Sequence, residues 1–243
     1  MSDKELQRLD KILSNLGYGS RKDVGIIIRK GMVLLDGKIV KDCSCQVNPI
    51  NSIIIIEGKQ LNYRKHIYIM MNKPQGVISA TYDGRHKTVI NLLSEEFANI
   101  DLFPAGRLDI DTEGFILLTN DGDFAHEILS PKKHVPKTYF AKVNGLVGDK
   151  DTEKFKDGIV IDDGYKCLSA ELKVLKSGEV SEIELTIFEG KFHQVKRMFE
   201  ALGKEVVYLK RIAMGGLKLD EKLELGQCRE ITDEELKLIS RIS

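Results

Sequence analysis

The stretch from Gly106 to Gly122 constrains this chain more than any other. Nine residues, Gly106-Arg107-Leu108-Asp109-Ile110-Asp111-Thr112-Glu113-Gly114, set a cation and carboxylates between two glycines. Directly after them come the apolar run Phe115-Ile116-Leu117-Leu118-Thr119 and the turn signal Asn120-Asp121-Gly122. That order predicts a polar loop feeding a buried strand and then a tight hairpin. A carboxylate at the mouth of a buried strand sits where water is scarce, a place where chemistry needs a carboxylate more often than packing does. A surface turn with solvated charges is the plain alternative. A calcium loop is excluded, because its twelfth position needs an acidic residue and Asn120 stands there, beyond an apolar strand.

With 243 residues the chain can hold one large domain or a medium and a small one. Its formal net charge is zero, so the whole-chain balance predicts no nucleic-acid partner. The distribution says more. Residues 1–60 carry ten Lys and Arg against seven Asp and Glu, so the N-terminal part is the basic one. Cys43, Cys45, Cys167 and Cys228 lack zinc spacing and read as reduced thiols of a cytoplasmic protein. His126, His134 and His193 stand at no ligand spacing with a carboxylate, so no metal is expected. There is no Walker loop and no dinucleotide fingerprint after a strand, so no nucleotide cofactor is expected. The polar start MSDKELQRLD carries no signal peptide, and the longest apolar run, Ile53 to Ile56, is far too short to span a membrane.

Leu6, Leu9, Ile12, Leu13 and Leu16 recur at helical spacing up to Gly17. Ser20 and Asp23 fit a capping box for a second helix, which Gly31 closes. Val33–Leu35, the Asp36-Gly37 turn and Ile39-Val40 predict a hairpin, and Ile53–Ile56 a further strand. This gives a small ααβ unit over residues 1–60, followed by a polar linker at 61–66. From residue 67 to 243 a second domain alternates short strands with few helices. Strands are expected at Ile67–Met71, Gly114–Thr119, Thr138–Val143, Ser169–Leu175 and Ile183–Phe188. Helices are expected at Val89–Leu93, Asp123–Leu129, Thr152–Asp157 and His193–Leu202, with Gly203 as the last C-cap. The connections are too short for regular βαβ crossovers, so the fold class is α+β with a mixed, largely antiparallel sheet.

Two resemblances join these segments. The order RLDKIL…GYGSRKDVGIIIRKGMVLLDGKIV is similar to the S-four-type RNA-binding module, which implies that Arg8, Lys11, Arg21, Lys22, Arg29 and Lys30 face RNA. The segment Gly106–Gly114 with the run after it resembles the active-site motif of RsuA-type pseudouridine synthases of ribosomal RNA. Three further segments match that family in order: Asn72-Lys73-Pro74-Gln75-Gly76, Lys137-Thr138-Tyr139, and Glu189–Met198. The resemblance implies Asp109 as the catalytic carboxylate, as nucleophile or as base. It implies Lys196 as the cation beside Asp109, Tyr139 against the target base, and Arg107 holding the flipped nucleotide. It places Lys73, Gly76, His193, Gln194 and Arg197 along the substrate. Asp111 is expected to serve the loop's own hydrogen bonds.

The implied reaction turns a uridine into pseudouridine. The bond from ribose to ring nitrogen breaks, the uracil turns, and a bond to carbon forms. Nothing is gained or lost, so no cofactor is expected. The segments Lys73–Thr81 and Ser130–Tyr139 look closest to enzymes of 16S ribosomal RNA, which implies a target in a small-subunit assembly intermediate, met by a monomer. A 23S target and a non-catalytic ribosome-assembly factor are the alternatives. The latter would need neither Asp109, Lys196 nor Tyr139.

Overall fold

The computed structural model describes residues 6–49, 52–61, 64–94, 97 and 100–240. Asn62 and Tyr63 of the expected linker and Met1–Glu5 of the polar start lie outside the described residues. The chain forms two compact units, residues 1–66 with 93–102, and residues 67–92 with 103–243.

In the first unit, β1 (Gln7–Arg8) leads into α1 (Leu9–Asn15), then α2 (Arg21–Arg29). Leu6 and Gln7 thus stand outside the expected helix, because β1 pairs with β4 (Gln46–Val47). The capping box is present: Ser20 Oγ accepts the Asp23 N–H, and Asp23 accepts the Ser20 N–H. Strands β2 (Val33–Leu35), β3 (Lys38–Ile39), β5 (Ile54–Ile56) and β6 (Lys59–Gln60) make a sheet in the order β3-β2-β5-β6. Leu9, Ile12, Leu13, Val24, Ile28, Val33, Ile54 and Ile56 fill the space between helices and sheet. Lys11, Arg21, Lys22, Arg29 and Lys30 are exposed around that core. Arg8 is held by a two-pronged contact to the buried Asp10, at 3.0 and 2.7 Å.

The second unit is built on one sheet with the order β11-β12-β10-β13-β9-β7-β15. Its strands are β7 (Tyr68–Lys73), β9 (Glu113–Thr119), β10 (Lys137–Asn144), β11 (Glu171–Lys176), β12 (Val180–Ile187), β13 (Glu205–Met214) and β15 (Cys228–Glu230). Two short strands, β8 (Phe103–Pro104) and β14 (Leu217–Lys218), pair at the side with β9 and β13. All these pairings are antiparallel except β13 with β9, so the sheet is mixed as expected. Helices α3 (Gly122–Leu129), α4 (Asp149–Asp157), α5 (Gln194–Glu200) and α6 (Asp233–Ser240) complete the unit. Phe115, Leu117, Met70, Ile128, Met214 and Ile239 share one core cluster. Among the described residues no helix is long and apolar enough to cross a membrane.

The expected hairpin after β9 does not form. Asp121 accepts the Phe124 N–H at 3.1 Å and starts α3 in its place. A carboxylate three residues before a periodic apolar face caps a helix, and here that signal outweighs the turn.

The parallel pairing of β9 with β13 depends on Gly114. Its φ is +100°, and a Cβ there would lie 2.2 Å from the Arg211 carbonyl oxygen. Gly114→Ala should therefore destabilise the protein by at least about 2 kcal/mol. Gly84→Ala, which meets nothing within 4 Å, is the control. Urea unfolding of both variants reads the difference, and equal midpoints would refute this account.

Candidate active site

The loop between β8 and β9 carries Arg107, Asp109 and Asp111, and its backbone is fastened from several sides. Ser79 Oγ donates to the Leu108 carbonyl and accepts the Leu108 N–H, both at 2.9 Å. The Gly76 N–H donates to the Ile110 carbonyl at 2.8 Å, from a turn that Gly76 makes with φ +78°. From the end of β7, Lys73 Nζ donates to the carbonyls of Asp109 (3.0 Å), Thr112 (2.8 Å) and Pro74 (3.1 Å). These three carbonyls can take the three donors of an ammonium, and the Ile110 carbonyl lies farther off at 3.5 Å. Lys73 is fully buried, and burial pushes its pKa down to about 8 against the pull of Asp111, Asp109 and Glu113. The expectation that Lys73 touches RNA is thus corrected. It faces inward and holds the loop from beneath. Gly76 likewise acts through its backbone.

The side chains of the loop meet α5. Lys196 Nζ lies 2.6 and 2.8 Å from the two oxygens of Asp111 and 3.3 Å from Asp109. One ammonium therefore serves two carboxylates, which corrects the assignment of Asp111 to the loop's own bonds. The Thr112 N–H closes a turn onto the Asp109 carbonyl, so the chain is not extended there and both carboxylates reach the same cation. Burial opposes the charge on Lys196, but the contacts to Asp111 and Asp109 prevail and raise its pKa. Burial raises that of Asp111, but Lys196 prevails and lowers it. His193 Nε2 stands 3.6 Å from Asp109. Arg107 is exposed and makes no side-chain bond to a described residue.

Two expected substrate contacts are engaged elsewhere. Gln194 is buried, donates to Glu189 at 3.0 Å and accepts the Lys191 N–H at 2.9 Å. Arg197 is held by Asp162 and Asp163 and donates to the Phe192 carbonyl at 3.3 Å. Both brace the turn that enters α5.

Sheet register adds residues that sequence reasoning missed. Lys73 pairs with Gly114, Gly114 with Arg211, and Arg211 with Tyr139. Directly paired residues share a face, so Lys73, Arg211 and Tyr139 lie in one row. The Tyr139 ring is buried and its hydroxyl has no partner among the described residues. Arg211 donates Nε–H to the Phe115 carbonyl at 2.7 Å, while its buried Nη2 has no partner. Lys137, two residues before Tyr139, is also buried, and burial with Arg211 nearby pushes its pKa down to about 8. No sequence expectation covers β13, whose apolar pattern Lys210 and Arg211 interrupt.

A carboxylate loop held by its backbone on a mixed α+β sheet, with an ammonium beside it and a tyrosine in the neighbouring row, has the make-up of an active site. The comparisons with known proteins agree. The sequence profile described as RNA pseudouridylate synthase matches residues 67–201, and the S4 domain profile matches residues 7–49. The chain is 52% identical to an uncharacterised RNA pseudouridine synthase of Bacillus subtilis, over 96% of this chain and 98% of that one. It is 38% identical to the ribosomal small subunit pseudouridine synthase A of Escherichia coli, over 94% and 98% of the two chains. It is 37% identical to the ribosomal large subunit pseudouridine synthase B of Bacillus subtilis, over 98% and 97%. A crystal structure of a pseudouridylate synthase superposes with a TM-score of 0.67 at 36% identity, over 96% of this chain and 99% of that one. The chain belongs to the RNA pseudouridine synthase family, in its RsuA-type branch with an N-terminal S4 domain.

Lys137 gives a test of how the site bears on stability. Its pKa is about 8 in the folded protein against an ordinary 10.5. Between these values the unfolded chain binds the extra proton, so stability rises with pH across that window and the burial penalty is full below it. Lys137→Met should therefore stabilise the protein at pH 7 by roughly 2–3 kcal/mol. The gain should shrink as pH climbs from 8 to above 10. A gain that does not vary with pH would show that Lys137 is not held charged against burial.

Proposed function

We propose that this chain converts a uridine of ribosomal RNA to pseudouridine, with Asp109 as the catalytic carboxylate and 16S RNA as the target. The observation that carries the reading is the setting of Asp109, on a loop whose backbone is gripped by Lys73, Ser79 and Gly76 and with Lys196 at 3.3 Å. A rigid anionic group with an ammonium beside it suits attack on ribose or ring, or removal of a ribose proton, and divides one hard step into two. Lys196, at 3.3 Å, orients the carboxylate. Tyr139 offers a ring face and a free hydroxyl to the uracil. Arg107, exposed and uncommitted, grips a phosphate or fills the space that the flipped nucleotide leaves.

Residues 1–60 supply affinity through Lys11, Arg21, Lys22, Arg29 and Lys30, with Arg8 reaching RNA only beside its Asp10 partner. The domain from residue 67 onward supplies the chemistry. The 16S reading rests on the segments Lys73–Thr81 and Ser130–Tyr139. A 23S target is the second reading, favoured by the almost equal identity to the large-subunit enzyme, 37% against 38%.

Asp109→Asn should lower turnover below about a thousandth of wild type while RNA affinity stays within a few-fold. Retention of a tenth of the activity would remove Asp109 from the chemistry. Deleting the gene and mapping pseudouridine across both ribosomal RNAs tests the substrate. Loss of one 16S position supports the proposal, and loss confined to 23S RNA moves the target. Loss in neither would turn the reading to an assembly factor.

A further inference from the structure

The turn that enters α5 holds an apolar ring in water beside Asp109. Phe192 is 71% exposed. Its ring stacks on that of His193 with centroids 3.7 Å apart and planes 19° from parallel. His193 in turn stands 3.6 Å from Asp109. Phe192 gains little from burial, yet the backbone of the turn that carries it is braced from several sides. Gln194 and Glu189 are both buried and hydrogen-bonded to each other, and Gln194 also takes the Lys191 N–H. Arg197, anchored on Asp162 and Asp163, holds the Phe192 carbonyl. His193 has φ +49°, a left-handed conformation that a side-chain-bearing residue adopts at a cost and only when its surroundings impose it.

We infer that the Phe192–His193 pair is a stacking platform for the nucleobase next to the target uridine in the RNA strand. The inference rests on the reading that a uridine is brought to Asp109. Swinging that uridine out of its stack strips its neighbour of a partner, at a cost of a few kcal/mol. His193 covers one face of the Phe192 ring and leaves the other open to a base. A phenylalanine carries no hydrogen-bonding group, so the platform takes any base by its flat face, and a purine covers most of the ring. Lys191 at the same turn is exposed, with Nζ 4.2 Å from the centre of the Tyr165 ring, and sets a cation where the strand's phosphates pass.

The test uses full-length protein and an rRNA fragment that contains the modified uridine, with each neighbouring nucleotide replaced in turn by 2-aminopurine or by an abasic residue. Wild type and Asp109→Asn should both quench 2-aminopurine at one neighbour, and Phe192→Ala should not. Phe192→Ala should weaken RNA binding roughly five- to a hundredfold, the range for one lost base stack. Phe192→Trp should restore affinity and Phe192→Leu should not, which separates stacking from general apolar packing. On RNA abasic at the stacked neighbour, wild type and Phe192→Ala should bind alike. Equal affinity of wild type and Phe192→Leu, or a Phe192→Ala defect that persists in full on both abasic RNAs, would overturn the inference. Activity surviving in Asp109→Asn while the Phe192 results hold would instead remove Asp109 and leave the platform standing.

Discussion

The buried ammonium of Lys73 is the contact on which the site depends. A lysine inside a sheet is costly unless its donors are met. Here they are met by carbonyls of the same loop that presents Asp109 and by Pro74 of its own turn. The charge thus fixes backbone and leaves the carboxylates above it to be addressed by other groups. Gripping the peptide units settles where the carboxylate stands, and its oxygens meet only the longer contacts of Lys196 at 3.3 Å and His193 at 3.6 Å.

From the opposite direction, α5 delivers Lys196. Its ammonium is shared between Asp109 and Asp111, with the shorter contacts to Asp111. Asp111 is the more exposed of the two carboxylates, with 61% of its side chain accessible against 26% for Asp109. A lysine tethered mainly to Asp111 would stay in position if Asp109, in the role proposed for it, changed its bonding. The helix can make this delivery because Glu189, Gln194 and Arg197 lock the turn before it. Polar residues in that motif therefore act chiefly on each other.

Much of this was legible in the sequence, for reasons specific to each segment. The apolar run Phe115–Thr119 could only be a buried strand, and Ser20 with Asp23 could only begin a helix. The link between Asp109 and Lys196, distant in sequence, came from family resemblance, since no local pattern encodes it. The direction of Lys73 was hidden because both faces of β7 are buried, so alternation along the strand gave no signal. The shared cation of Asp109 and Asp111 has no signature in the sequence, because it depends on a turn at Asp109 that brings both carboxylates to one side. Strand β13 escaped notice because Lys210 and Arg211 interrupt its apolar pattern. Gln194 and Arg197 looked like substrate contacts because polar residues in a motif cannot be sorted into outward and inward ones until the turn around them is known.

The parallel pairing of β9 with β13 sets an order of events during synthesis. The strand that follows the Asp109 loop is completed on one side only when residues 205–214 arrive, late in the chain. Until then Gly114 has no neighbour at its shoulder, and Arg211 is missing from the row that holds Lys73 and Tyr139. Helix α5, which brings Lys196, comes from almost as late. Contacts of such wide sequence separation form last and slowly, because a long loop must close before they are rewarded. The S4 domain, by contrast, lies within residues 7–49 and is synthesised first. A nascent chain would hold a finished RNA-binding module well before it held a working site, so the enzyme gains its hold on RNA before it gains the means to change it.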